Sequence, residues 1–370
     1  PADWKSQIDK DNTTGICVFA RAAGESNTYA PGSAVNYAGE KTGEDPLKLS
    51  EDELSVIDAA KETCGKVIVL INSGNTLVIK DIAEGGAHEV DGIAYIGCPN
   101  DYQFTGIVNV LTGKVNATGA LTDTYVADNA SIPAVQNFGG DYYADYQIVA
   151  ANAQNGYDPR YPGEEISNDS SAGSFGGGSA TYSAGQYIVE AEGIYVGYKY
   201  YETRYFDSIM NPSFNANSGM GATQSDLWDY TKEVIYPFGH TISYLDYEQT
   251  VKSVNVDKTA GGDITAVVAV TNKSDKDGRF LAQLYVQQPY TAYDMENKVE
   301  KSAVMFLNSA KVDVAAGATE EVTITIPTKY LASYDYTNAK TYILDEGDYY
   351  FTAAAGAHEA VNNFLAAQGK

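Results

Sequence analysis

Basic side chains are scarce in this sequence. There are 24 lysines and arginines against 49 aspartates and glutamates, a formal net charge of −25. That balance argues against a nucleic-acid partner or an anionic membrane surface, both of which need basic patches. It suits an acidic, solvated surface and a neutral ligand. Long apolar runs are also missing. None approaches the ~18 residues of a membrane-spanning helix, so this segment is not expected to insert in a membrane. Cysteine is limited to Cys17, Cys64 and Cys98, odd in number and far apart. No metal-type spacing appears, and buried free thiols are the expected state. Three scattered histidines, His88, His240 and His358, form no zinc-like cluster with cysteine or carboxylate. The glycine-rich run Gly173-Ser-Phe-Gly-Gly-Gly178 lacks the preceding strand that a phosphate loop requires. No cofactor is implied. No secretory leader is visible, yet Pro1 is not an initiator methionine. The chain reads as processed or cut from something longer, and its destination stays open.

Tyrosine, by contrast, is abundant at 30 residues, while tryptophan occurs only twice. A ring with a hydroxyl suits carbohydrate surfaces and interfaces. It suits β-strand packing equally well. One carboxylate also stands out. In Gly15-Ile-Cys-Val-Phe-Ala-Arg-Ala-Ala-Gly-Glu-Ser26, an apolar strand-like run leads through small residues to Glu25. Small residues at a strand's end admit a ligand close to the backbone. The mouth of an open α/β sheet lies where its strands end. Glu25 is thus either a proton donor or a solvated loop glutamate. Glu40 and Glu44, on the same long loop, are the fallback candidates.

Residues 1–125 read as an α/β domain. Ile16–Ala20, Lys66–Asn72 and Gly92–Gly97 are strand candidates. A helix starts after Ser50, with Glu53 at the capping-box position, and stops before Gly65. Further helices are expected over Leu77–Ile82 and Phe104–Leu111. The alternation implies a parallel sheet with helices on its faces. Residues 126–246 are an irregular, aromatic- and glycine-rich extension that completes this domain. Residues 247–356 turn all-β, with strands expected at Val251–Val256, Ile264–Thr271, Phe280–Gln287, Val322–Ile326 and Tyr349–Ala354. Short strands at that spacing predict an immunoglobulin/fibronectin III-like β-sandwich. Residues 357–370 form a tail or linker, with helical character. The fold class is therefore α/β plus all-β: a parallel α/β sandwich followed by a β-sandwich.

Five segments stand out in order: Val67-Ile-Val-Leu-Ile-Asn-Ser-Gly-Asn75, Gly113-Lys-Val-Asn-Ala-Thr-Gly-Ala-Leu-Thr-Asp123, Glu192-Gly-Ile-Tyr-Val-Gly-Tyr-Lys-Tyr-Tyr-Glu202, Tyr236-Pro-Phe-Gly-His240 and Ala282-Gln-Leu-Tyr-Val286. Together they resemble glycoside hydrolase family 3, the β-glucosidase family. The resemblance covers nearly the whole chain. It implies an α/β sandwich domain and a fibronectin type III-like domain without the family's (β/α)8-type barrel. The family's aspartate nucleophile sits on that barrel in a Ser-Asp-Trp-type motif. Asp3-Trp4 and Asp226-Leu-Trp228 have the wrong context for it. The tail resembles members of inverted order, in which the barrel follows, so a longer gene product is expected.

By the same resemblance, Ala-Gly-Glu-Ser26 matches the loop that carries the family's general acid/base, making Glu25 that residue. The implied partners are a β-linked oligosaccharide or glucoside and a barrel on the same or another chain; a homo-oligomer is compatible. The location inclines to an extracellular or cell-surface bacterial setting, with the cytoplasm open. Several positions depart from the family pattern. Gly97-Cys-Pro-Asn-Asp101 stands where a Gly-Tyr-Pro-Gly-Gln-type turn is usual, Ala117 replaces proline, Ala120 replaces arginine, and Thr241 replaces glycine. These departures keep a second reading in view: a non-catalytic carbohydrate-binding or structural cell-surface protein derived from such an enzyme.

Overall fold

A computed structural model describes residues 5–21, 47–134, 192–217, 226–259 and 261–370. The N-terminal part is built on a parallel sheet of order β1-β2-β3: β1 (Thr14–Ala20), β2 (Lys66–Asn72) and β3 (Gly92–Tyr95). Thr14 aligns with Lys66 and Ile68 with Gly92, so the strands end together near Ala20, Asn72 and Tyr95. Helix α1 (Glu51–Thr63) is started by a complete capping box between Ser50 and Glu53. It ends without a left-handed residue. Gly65 is required for another reason: a β-carbon there would lie 2.8 Å from the Lys10 carbonyl. Cys17, Phe19, Ile57, Val67, Val69 and Ile71 form the core between sheet and helix. Cys17 and Cys64 are buried free thiols, whereas Cys98 is exposed on the turn after β3, contrary to expectation.

The helix expected over Leu77–Ile82 does not form. Val78 makes a parallel bridge with Lys48, and the chain then turns. The six residues Leu77–Ile82, within a stretch bounded by Gly74-Asn75 and Gly85-Gly86, cannot recover the cost of helix nucleation. Leu77, Val78, Ile79 and Ile82 are all buried instead, which no single helix face would allow. Helix α2 (Phe104–Leu111) does form, yet buries none of its residues.

The extension returns to the α/β domain through a small antiparallel pair, β4 (Tyr125–Val126) with β5 (Val234–Tyr236). Helix α3 (Tyr198–Met210) and the single turn α4 (Tyr230–Glu233) pack there, around Tyr201, Trp228 and Tyr230.

The β-sandwich has two antiparallel sheets. One is ordered β10-β7-β6, the other β13-β8-β9. The strands are β6 (Tyr247–Val256), β7 (Asp263–Asn272), β8 (Gly278–Gln287), β9 (Met305–Val314), β10 (Thr319–Pro327) and β13 (Tyr350–Ala353). Ala266, Val268, Val270, Phe280, Leu284, Ile324 and others fill the space between them. Strand β9 was not among the expected strands. Its pairing with β8 shifts register at Leu284/Tyr285, so the apolar alternation of Ala310–Val314 changes phase before Phe306. A two-stranded hairpin, β11 (Ser333–Asp335) with β12 (Thr341–Ile343), projects from the same domain. Between α3 and β10 lies the short helix α5 (Ala292–Asn297), and the chain ends in helix α6 (Ala357–Ala367). That last helix is docked: Ala357, Ala360, Val361, Phe364 and Leu365 are buried with Tyr285 and Ala354, against Tyr198, Tyr205 and Phe238.

Candidate functional site at the carboxyl edge of the parallel sheet

In a parallel sheet, ligands meet the chain where the strands end. Here β1 ends into Arg21, a buried residue whose guanidinium is fully engaged. It donates to both oxygens of Glu53 at 2.7 and 2.8 Å, to the Ala20 carbonyl at 3.0 Å and to the Lys48 carbonyl at 2.7 Å. Its backbone N–H donates to the Asn72 carbonyl at 3.1 Å. A bidentate charge-assisted pair is among the stronger polar contacts a protein makes. Glu53 also accepts from the Ser50 N–H at 2.9 Å, so one carboxylate caps α1 and clasps the end of β1. Because Arg21 also grips Lys48, the chain on either side of residues 22–46 is fixed at the sheet's edge. Glu25, Glu40 and Glu44 fall within that interval and lie outside the described residues, as do Asp3-Trp4 and the glycine-rich run at 173–178.

The second strand ends in Asn72, whose side chain donates to the Gly97 carbonyl at 2.7 Å and so ties the ends of β2 and β3. Ser73 is buried, and its hydroxyl accepts from the Asn75 N–H at 3.0 Å. Gly97 takes φ +61, a left-handed turn that favours glycine and reverses the chain towards Cys98. Beside it, Tyr95 meets Tyr125 edge-on, with centroids 6.4 Å apart. Burial pushes the Tyr95 phenol up, with Asp123 and Cys98 adding to the effect. Burial raises Tyr125 much further. Both phenols are hydrogen-bonding groups rather than bases at neutral pH. At the edge itself the exposed Tyr95 phenol stands near the exposed Asp123 carboxylate, while Ser73 and Tyr125 are buried and the Asn72 amide is committed to Gly97. Such a set can bind a polyhydroxylated ligand. No group of three histidine, cysteine or carboxylate side chains among the described residues could hold a metal ion. Tyr95 and Asp123 were not singled out from the sequence. Their proximity comes from the β4–β5 return, which no local pattern reveals.

The motif residues away from this edge join domains. Asn116 donates to the Ser243 hydroxyl at 2.9 Å and the Arg279 carbonyl at 3.0 Å, and accepts from the Tyr244 N–H at 2.8 Å. Thr241, the substituted position, donates to the Gly119 carbonyl at 2.6 Å. His240 stacks on Tyr236, with centroids 4.9 Å apart, and burial lowers its pKa, so it is neutral. Its carbonyl accepts from the Leu121 N–H at 2.9 Å.

Comparison with known proteins matches this arrangement. The model of the glycosyl hydrolase family 3 C-terminal domain matches residues 16–244, and that of the fibronectin type III-like domain matches residues 281–357. A beta-glucosidase of Ruminococcus albus is 24% identical over 362 residues, covering 96% of this chain and 28% of that protein. A beta-glucosidase of Rhizobium radiobacter is 23% identical over 315 residues, covering 84% of this chain and 29% of its own length. Among solved structures, a beta-glucosidase from Paenibacillus barengoltzii superposes with a TM-score of 0.64 at 20% identity, over 94% of this chain and 29% of that one. Beta-glucosidase 3B from Thermotoga neapolitana, solved with glucose, gives 0.60 at 21% identity, over 94% and 36%. The chain thus spans about a third or less of the length of the relatives it matches. With an α/β domain and a fibronectin-like sandwich in the matching order, the chain belongs to the glycosyl hydrolase family 3 C-terminal domain family.

Proposed function

We propose that this chain is the α/β-sandwich and fibronectin-like part of a retaining β-glucosidase-type glycoside hydrolase. In this reading it supplies Glu25 as general acid/base, and a (β/α)8-type barrel, on the same or another chain, supplies an aspartate nucleophile. The observation that carries the reading is the Arg21–Glu53–Lys48 clasp, which anchors both flanks of the Glu25 interval at the carboxyl edge of the sheet. A second feature supports a further body docked on this domain. Parallel sheets are normally covered on both faces. Ile16 and Val18, on the outer face of β1, are 52% and 56% exposed, and Phe104 and Val108 of α2 are also exposed.

Retaining hydrolysis needs two carboxyl groups about 5–5.5 Å apart. The nucleophile attacks the anomeric carbon while Glu25 protonates the departing glycosidic oxygen. Glu25 then takes a proton from the water that releases the sugar. Docking of the barrel would exclude solvent and keep Glu25 protonated until it donates.

The test uses a protein that includes the barrel. Glu25→Ala should slow poor leaving groups by about 10²–10⁴-fold, the usual worth of general acid catalysis. Activated aryl glucosides should retain glycosylation, with deglycosylation becoming limiting. Azide, which needs no deprotonation, should restore turnover and give a glycosyl azide of retained configuration. A uniform loss without azide rescue would move the role to Glu40 or Glu44. The substitutions at Ala117, Ala120, Thr241 and Gly97–Asp101 favour the second reading, a non-catalytic carbohydrate-binding or structural protein. Parent-like behaviour of all three glutamate variants would support it.

A further inference from the structure

Strand β1 ends the parallel sheet, and its outer edge meets no other strand among the described residues. The Arg21 N–H donates to the Asn72 carbonyl at 3.1 Å, and the Thr13 carbonyl accepts from the Gly65 N–H at 3.0 Å. Backbone groups alternate sides along a strand, and β1 runs beside β2 without a register shift. Gly15, Cys17 and Phe19 therefore turn their N–H and C=O groups towards β2. Ile16, Val18 and Ala20 turn theirs away from it. The Ala20 carbonyl accepts from the Arg21 guanidinium at 3.0 Å, which leaves the stretch 14–18 as the open edge. The side chains of Ile16 and Val18 are exposed too, on the face opposite buried Cys17 and Phe19.

Every other long edge in the described sheets is guarded. β6 carries Glu248 and Lys252 and shifts register between Val251 and Ser253. β9 carries Lys311 and Asp313 and shifts register opposite Leu284/Tyr285. β10 carries Glu320 and Glu321 and ends in Pro327. β3 and β13 are only four residues long. Charges, bulges, prolines and shortness are the devices that keep an edge from pairing. Thr14-Gly-Ile-Cys-Val-Phe-Ala20 is seven residues long and has none of them, in a chain of which 20% is charged.

Two kinds of group need covering at once, and together they select the occupant. A folded body laid on the sheet would cover the Ile16 and Val18 side chains but leave their N–H and C=O groups desolvated without partners. An added strand satisfies both. It pairs with the backbone and continues outward the apolar rows Ile16–Ile68 and Val18–Leu70. A second copy of this chain is opposed by a net charge of −25 on each. The beta-glucosidases of Ruminococcus albus and Rhizobium radiobacter extend well beyond the matched region, since this chain spans 28% and 29% of them. A strand on the same polypeptide is also presented at high effective concentration. We propose that β1 is an internal strand of the sheet, its outer edge at residues 14–18 paired with an uncharged, apolar strand of the same polypeptide lying outside these 370 residues. That occupant shares with the function proposed above the premise of further polypeptide, and it does not depend on Glu25 or on hydrolysis.

The test is amide hydrogen exchange read residue by residue. It compares the 370-residue chain with the longer protein used for the Glu25 variants, both without substrate. In the isolated chain, the Ile16 and Val18 amides should exchange at least about 10²-fold faster than those of Cys17 and Phe19, because only the latter are bonded to β2. In the longer protein all four should be slow together. Val18→Thr, which keeps the N–H and the strand propensity, should leave that protection in place. Val18→Pro, which removes an outward N–H that β2 does not use, should release Ile16 to fast exchange in the longer protein, while the isolated chain still folds. Should the proline variant fail to fold, the comparison of the two parents still decides. Fast exchange of Ile16 and Val18 in the longer protein would overturn the proposal, because nothing then pairs with the edge. Slow exchange in the isolated monomer would also overturn it, by placing the partner within these residues. So would slow exchange that appears only with a dimer in sedimentation velocity, which would make the partner a second copy. Glu25→Ala should leave all these exchange rates unchanged, so a loss of catalysis and a loss of pairing are separate results.

Discussion

Asp335 shows how much one side chain can organise. Its carboxyl is held at about 2, first by the Tyr293 hydrogen bond and then by the N–H groups of the turn. A free aspartate titrates near pH 3.9, or about that value. A carboxylate whose folded pKa lies below its unfolded one stabilises the fold above about pH 3.9, and that contribution is lost as pH falls towards about 2. Asp335→Asn should therefore lower the thermal midpoint at neutral pH. It should also flatten the fall in midpoint between about pH 4 and 2, because the titrating group has gone. Thermal melts of parent and variant across that range are the measurement. Parallel profiles would show that the Asp335 charge is not coupled to folding. The sequence shows only an aspartate between two tyrosines in Tyr334-Asp-Tyr336. Its partners Tyr293 and Asn338 arrive from an adjoining helix and from beyond the strand, so nothing in its local pattern separates it from a solvated turn residue.

At the scale of elements, the joint between the two domains is made by interlocking motifs. Gly239, in Tyr236-Pro-Phe-Gly-His240, takes φ +79. Its carbonyl accepts from the Gln283 side chain at 2.8 Å, and the Tyr285 hydroxyl donates to Gln283 Oε1 at 2.8 Å. A β-carbon at Gly239 would strike the Tyr285 hydroxyl and lie 2.7 Å from Gln283 Oε1 and 3.1 Å from Gly356 Cα. Helix α6 closes the joint from the other side. The Ala357 N–H donates to the Phe238 carbonyl at 2.9 Å, and His358 lies 3.0 Å from buried Glu202, stacked on Tyr230. Gly239→Ala should cost about 2–4 kcal/mol, combining backbone strain with a clash against packed groups. Gly317→Ala, at φ +68 with nothing within 4 Å, should cost about 1 kcal/mol. Urea denaturation compares them, and equal losses would remove the steric argument. Strand and helix periodicity announced β1, β2, α1, α2 and most of the sandwich. It failed at Leu77–Ile82, where burial on every side overrode helical spacing, and at β9, where a bulge broke the alternation.

At the scale of the whole molecule, an α/β layer carries the candidate site, a β-sandwich follows it, and α6 is wedged between α3 and the sandwich. No helix among the described residues is long and apolar enough to cross a membrane. If the nucleophile lies on a barrel, as proposed, the 370 residues assayed alone should hydrolyse aryl β-glucosides no faster than buffer, because the double displacement would then have no covalent step. Turnover measured on rigorously purified chain checks this. Robust, contaminant-free activity would place a nucleophile within these residues and overturn the division of labour proposed with a barrel.

What the sequence determined by itself was whatever depends on near neighbours along the chain. The capping box at Ser50 and Glu53 is set by a spacing of three residues, and the buried run Val67–Ile71 by continuous apolarity. The ordered family motifs were readable for the same reason. Tertiary structure alone decided which groups share a site. Arg21 meets Glu53 across 32 residues, Asn116 meets Ser243 across 127, and Glu202 meets His358 across 156. Such pairs are chosen by packing, which brings distant segments together only when their apolar faces are buried at once. Hydrogen bonds in those buried joints then admit one register, because a polar group left unpaired there costs more than a good pair contributes.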